Sequence, residues 1–250
     1  MVLNTTQPYA SLLLPGESLP EDLTTAASTP LRLGPGLFLS HDPSNPAILP
    51  QKAGRLQNLA PNSYYINSSQ KRYVPAVGES VIAQVTGKHV EGYKLDVGSA
   101  HPAQLDALAF EGATKKNRPM LNIGSLVYAR VTLANKDMEP ELECIDPTTG
   151  KSGGFGELVS GYIFSVSLPL CRRLLLPNPP VLLALAGQVA FEIAVGVNGR
   201  IWVKSGDAGT TIAVVEAVRR SEFLRESEVG RMVKEVLAGR ASTRIGEAVS

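Results

Sequence analysis

Apolar and polar residues alternate with period two through the middle of the chain, the pattern of half-buried strands whose successive side chains point to opposite faces. In SVIAQVTGKHV (Ser80–Val90) the apolar positions Val81, Ala83 and Val85 fall on one face. Gly92 then introduces YKLDVG, with Tyr93, Leu95 and Val97 opposed to Lys94 and Asp96, which reads as the second arm of a hairpin. AQLDALAF (Ala103–Phe110) is a third run. SLVYARVTLAN (Ser125–Asn135) sets Leu126, Tyr128, Arg130 and Thr132 against Val127, Ala129, Val131 and Leu133, and ELECID (Glu141–Asp146) closes the set. Five strands at this spacing predict an OB-type barrel, with the polar loop EGATKKNRPMLNIG between the third and fourth.

The flanking segments have other patterns. Residues 1–30 are rich in Pro, Ser and Thr and have few large apolar residues after Leu14, so they read as an extended arm without a core of its own, lying on a partner or on the next domain. Residues 31–72 hold short apolar pieces (LRLGPGLFLS, AILPQKAGRL, SYYINSS) cut by Gly, Pro and Asn, a small all-β unit. The barrel is assigned to 73–149, and PTTGKSGGFG after Asp146 reads as a linker by composition. In 150–250 a strand (GYIFSVSL) is followed by two short helical runs (PLCRRLLL and, after PNPP, VLLALAG). A strand pair (VAFEIAV, RIWVK) joined by Gly196-Val197-Asn198-Gly199 comes next, and then helices. In the last helix Val229, Met232, Val233, Val236 and Leu237 form one apolar stripe, with Ser227 as the expected N-cap and Gly239 beyond the end.

Charge narrows the function classes. With 24 basic and 23 acidic residues in 250 the formal charge is +1, so nucleic acid or anionic lipid can be held only by a local cluster. Charged residues make up 19%, below the roughly 25% of ordinary soluble domains, which suggests a surface partly covered by partners. The 23 Gly and 18 Pro punctuate the chain into short elements and argue against a helical bundle. Cys144 and Cys171 form no CxxC pair, so neither a metal site nor a disulfide framework is indicated, and a reducing compartment is the natural reading. No signal peptide or membrane span is expected.

Catalytic patterns are weak. Gly150-Lys151-Ser152-Gly153-Gly154 satisfies GxSxG but lacks the strand before and helix after that a nucleophile elbow needs. The same stretch fails as a phosphate loop, because Ile145 stands where the first glycine belongs. Glu139, Glu141 and Glu143 share one strand face and, with Asp146, offer a divalent-metal nuclease alternative; a solvated strand face is the plainer reading. His41, His89 and His101 have no partner spacing, and no cofactor or metal is expected.

Binding chemistry is more promising. Lys115, Lys116 and Arg118 put three cations into four residues of a barrel loop, enough to neutralise a run of phosphates; an ordinary solvated loop is the competing reading. Lys88 and His89 in the preceding turn, with Tyr93 and Lys94 on the second strand, lie where OB folds bind single strands, although Tyr93 shares the parity of core residues. The GVNG turn is a GxxG, by which KH domains clamp a sugar-phosphate backbone. Its middle residues, Val197 and Asn198, carry no charge, and a hairpin turn explains both glycines equally. Trp202, the single tryptophan, reads as a buried anchor rather than a stacking platform.

Six stretches occur in order over nearly the whole chain: LLPGE (Leu13–Glu17), LGPGL (Leu33–Leu37), QKRYVP (Gln70–Pro75), FEGATKKNRP (Phe110–Pro119), ANKDMEPE (Ala134–Glu141) and GVNGRIWVK (Gly196–Lys204). In these the chain resembles the cap subunits of the eukaryotic RNA exosome, and among them the exosome component three (ribosomal-RNA-processing protein forty) family rather than the sister cap subunit of the same OB and KH plan. The resemblance implies a β-rich α+β chain with an N-terminal β-domain, a central OB barrel of the ribosomal S-one type and a C-terminal KH domain. It implies a non-catalytic subunit that sits on a ring of RNase PH-like proteins beside other cap subunits and guides single-stranded RNA into a central channel. Associated hydrolytic nucleases then act from the 3′ end, in nucleus and nucleolus and also in cytoplasm, with no membrane involved. Lys115, Lys116 and Arg118, with Lys88 and Lys94, become the expected RNA contacts, and Asn198 of the GxNG variant takes a packing role. Two departures stand out: the second strand lacks the usual row of aromatics, and the third, AQLDAL, lacks the usual histidine.

Overall fold

The computed structural model describes residues 12–17, 19, 31–40, 47–60, 62–135 and 137–247. They fall into two compact units, divided between Gln70 and Lys71. In the first, β1 (Leu12–Leu13), β5 (Gly54–Ala60), β6 (Ser63–Asn67) and β2 (Arg32–Leu33) form a four-stranded sheet in the order β1-β5-β6-β2, while β3 (Leu37–Leu39) pairs with β4 (Ile48–Pro50). Its core is Leu13, Leu19, Leu37, Leu56 and Ile66. The arm is therefore not coreless throughout. Leu13 turns inward from β1, which pairs with Arg55 and Gly54, and so joins this unit, because a strand partner supplies the hydrogen bonds that a free arm would lack. Residues 1–11 and 20–30 lie outside the described residues.

The second unit opens with the barrel: β7 (Ser80–Lys88), β8 (Gly92–Asp96), β9 (Ala103–Phe110), β10 (Leu126–Leu133) and β11 (Glu141–Cys144). Antiparallel neighbours run β9-β8-β7-β10, and β11 closes the ring by pairing antiparallel with β10 and parallel with β9. The five strands expected from period two are all present. Val81, Ala83, Val85, Leu95, Val97, Leu105, Val127, Ala129 and Val131 fill the interior. The stretch expected as a linker is instead ordered by hydrogen bonds: Gly150 donates to the Asp146 carbonyl (2.8 Å), Asp146 donates to the Lys151 carbonyl (2.7 Å), and Ser152 donates to the Glu111 carboxylate (2.7 Å). It leads into a sixth strand, β12 (Gly156–Leu158), on the edge of β10.

The rest is a KH-type α+β layer. β13 (Tyr162–Ser165), β15 (Arg200–Ser205) and β14 (Phe191–Val195) form an antiparallel sheet with β15 central, and its inner face packs on α1 (Leu168–Leu174), α2 (Pro180–Ala186), α3 (Ala208–Arg220) and α4 (Glu226–Glu247). Ser167 caps α1 by accepting from the Leu170 amide, and Asp207 caps α3 by accepting from the Thr210 amide. Along α4, Val229, Met232, Val233 and Val236 are buried, and Leu237 packs beside them. Its ends differ from expectation. The helix starts before Ser227, and the Glu228 carboxylate accepts from the Arg225 amide (3.3 Å), half of a capping box. It also runs through Gly239, an interior glycine that costs about 1 kcal/mol relative to alanine.

Barrel and KH layer share a second, smaller core. Ile82, on the outer face of β7, packs with Trp202 and Ala194, flanked by Leu126, Tyr128, Leu158 and Ile163. Ile201 and Val203 point into the KH core, so Trp202 between them faces the barrel at 5% exposure, and its indole N–H donates to the Ser160 carbonyl (2.7 Å). Trp202→Ala is expected to destabilise the chain by about 3 kcal/mol, the lower end for deleting a buried aromatic. Urea unfolding of the purified protein measures this, and an unchanged midpoint would show that the interface contributes nothing.

Candidate nucleic-acid interface

The barrel end formed by the β7–β8 turn (89–91) and the β9–β10 loop (111–125) is basic. The chain reaches it through a tight turn in which Thr114 donates to the Asn117 carbonyl (2.8 Å) and Asn117 donates back (3.1 Å), displaying Lys115 and Lys116 outward. Both lysines are exposed, and among the described residues neither has an ion-pair partner. Arg118 leans across to the neighbouring turn, donating to the Val90 carbonyl (3.1 Å), and the Lys88 ammonium donates to Asn122 Oδ1 (3.3 Å). These acceptors are neutral, so four cations stay uncompensated by ion pairs. Glu111, the acid at the loop's start, is turned away to the Ser152 amide, which with Lys151 holds its carboxyl below the usual range.

Lys94 does not join them. Its ammonium lies 3.7 Å from Glu139, which also accepts from the Gln104 amide (2.7 Å). No aromatic ring stands on the outer face of β8 or β9: Tyr93 and Phe110 point into the barrel, leaving Lys94, Asp96, Gln104, Asp106 and Leu108 outside. The adjoining wall holds a groove of about 640 Å³ lined by Glu91, Asp106, Glu141 and Glu143 among others, a surface that repels phosphate. The carboxylates of the nuclease alternative are scattered in their duties: Glu143 pairs with Arg130 (3.0 Å), Glu139 with Lys94, and Asp146 accepts from Thr148 and Thr149. Among the described residues no three His, Cys, Asp or Glu side chains come together as a metal site. The Cys144 and Cys171 thiols are buried and free, each pushed up to about 12 by burial and so unreactive.

The GVNG turn is occupied elsewhere. Asn198 is 8% exposed; its amide nitrogen donates to the carbonyls of Ile82 (2.8 Å) and Val97 (2.9 Å), and its Oδ1 accepts from the Ile82 amide (3.2 Å). The Val197 amide donates to Ser80 (2.9 Å), and the Val197 side chain packs against the barrel core. Gly196 approaches β7 so closely that a Cβ would lie 2.8 Å from the Ile82 nitrogen, and Gly199 adopts φ of +82°. Both positions therefore demand glycine. Arg200, beside the turn, donates to the Asp96 carbonyl (2.7 Å) and carboxylate (2.6 Å). The resemblance implied a packing role for Asn198, but the surface it packs on was not read from the sequence. Its signal was the off-parity apolar residues Ile82, Leu126 and Tyr128, which give β7 and β10 a second covered face.

The family models match in the same order as the domains. "Exosome complex exonuclease Rrp40 N-terminal domain" matches residues 31–72, "Exosome complex component RRP40, S1 domain" matches 73–156, and "KH domain" matches 161–209. The exosome complex component rrp40 of Schizosaccharomyces pombe is 47% identical over 91% of this chain and 95% of its own length. The chain belongs to the RRP40 family. RRP40 proteins of Saccharomyces cerevisiae and Homo sapiens are each 38% identical, over 91% and 88% of this chain and 98% and 86% of theirs. A solved structure of an exosome complex RNA-binding protein aligns over 69% of this chain and 99% of its own, with a TM-score of 0.57 and 23% identity, a likeness of fold alone.

Burial pushes the Asp96 carboxyl up, but the Arg200 guanidinium and the Gly98 amide outweigh burial and hold it below its ordinary 3.8. A carboxyl depressed in the folded state contributes stability that is complete above pH 3.8 and fades as pH falls through the folded value. Urea midpoints at pH 7 and pH 3 should therefore fall further apart in the wild type than in Asp96→Asn. Equal differences would show that the Asp96–Arg200 pair does not stabilise the dock.

Proposed function

We propose that this chain is a non-catalytic, RNA-binding cap subunit of the RNA exosome that leads single-stranded RNA toward the channel of an RNase PH-like ring. RNA phosphates contact Lys88, Lys115, Lys116 and Arg118. The observation that carries this is the convergence of four cations, uncompensated by ion pairs, on one barrel end of a chain whose net charge is only +1. With no exposed ring on β8 or β9, base stacking has no platform there, and the contact tracks the backbone without reading sequence. The relatives' names support membership of an exosome complex. Ring subunits, other cap subunits and hydrolytic nucleases are the partners this role requires, and nucleus, nucleolus and cytoplasm are its proposed places of work.

Reversing Lys115, Lys116 and Arg118 to Glu in the reconstituted assembly tests the reading. Each phosphate contact to a single strand contributes about −0.7 to the slope of log affinity against log salt. Loss of three should lower RNA affinity steeply and reduce the slope by about 2, while size-exclusion profiles show assembly intact. RNA affinity and slope equal to wild type would sink the assignment.

A further inference from the structure

The loop that bears the cations spans fifteen residues (111–125); its last residues are tied to Val85 of β7 by the Gly124 amide (2.8 Å) and the Ser125 carbonyl (2.9 Å), and its middle, residues 119–121, is held from inside the barrel by one phenol. Tyr93 stands on β8 with its ring among the core residues, 8% exposed. Its hydroxyl donates to the Pro119 carbonyl (2.6 Å) and accepts from the Leu121 amide (3.2 Å). These two backbone groups bracket Met120, the first of them on Pro119 immediately after Arg118, and Leu121 itself is 1% exposed in the same core. A phenylalanine would fill the same core volume, so the hydroxyl contributes loop contacts rather than packing.

We propose that Tyr93 is a positioning residue for RNA: its hydroxyl fixes residues 119–121 and so presets Lys115, Lys116 and Arg118 for a phosphate backbone. The Thr114–Asn117 turn shapes the first part of the loop, Tyr93 anchors its middle, and backbone bonds to Val85 fix its end. Lys88 and Arg118 add braces at the surface, where water competes for each bond. Without the anchor, the loop must be ordered when RNA arrives, and that entropy is subtracted from affinity. This inference rests on the RNA reading given above.

The test is a double-mutant cycle in the reconstituted assembly, combining Tyr93→Phe with Lys115→Ala/Lys116→Ala/Arg118→Ala and measuring binding of a fluorescently labelled single-stranded RNA. Tyr93→Phe alone, which removes both hydrogen bonds of the hydroxyl, should weaken binding by at least about five-fold, the scale of one such bond. It should have no further effect once the three cations are gone. Hydrogen exchange should rise in 111–125 and stay unchanged in 126–133, which separates a loosened loop from a damaged barrel. If the triple variant binds RNA as wild type does, the RNA reading itself fails. If the triple variant weakens binding but Tyr93→Phe does not, or if Tyr93→Phe loses the same factor in both backgrounds, the positioning role is overturned. Raised exchange in 126–133 would likewise overturn it, since the hydroxyl would then be supporting the barrel.

Discussion

The carboxamide of Asn198 makes three hydrogen bonds to β7 and to the residue just beyond β8, and the relation of barrel to KH layer depends on it. Each buried backbone group it satisfies would cost about 1–3 kcal/mol if left without a partner. Only a side chain carrying both donor and acceptor on one planar group can serve an N–H and two carbonyls at once. Three of the loop's own four amides are engaged as well: Gly196 donates to Arg200, Val197 to Ser80 and Gly199 to Gly196. A KH loop that clamps RNA does so with free main-chain donors. Here those donors hold the chain to itself.

With the GVNG loop committed, the barrel end, with four cations outside any ion pair, is where chemistry for a polyanion gathers. Charge is sorted there rather than abundant. Glu111 is drawn toward the 146–152 turn, Lys94 is neutralised on the wall by Glu139, and the four remaining cations face outward from the end of β7 and one loop. The acid-lined groove alongside gives the surface polarity, since a phosphate chain is repelled from the wall and attracted to the rim. A protein of net charge +1 can thus hold RNA locally while remaining a weak general binder.

The barrel was legible because burial on one face imposes period two: Val81, Ala83, Val85, Tyr93, Leu95, Val97, Val127, Ala129 and Val131 are all buried, and only Leu133, at its strand's end, is half-buried. β12 was not, since three residues beginning with glycine carry no periodicity; pairing with β10 makes it a strand. The Lys115–Arg118 cluster can be seen in sequence, but its lack of ion-pair partners cannot, because Glu139 and Glu111 find theirs across elements whose adjacency only the topology sets. The same holds for Tyr93. Parity places its ring inside, and only the folded loop shows where its hydroxyl goes.

Which of the two loops meets RNA is decided most directly by a residue-resolved crosslinking map of the assembled complex with single-stranded RNA. Crosslinks at 115–118 and Lys88, with none at 196–199, are the predicted result. Crosslinks centred on Gly196–Gly199, with the 111–125 loop silent, would contradict it.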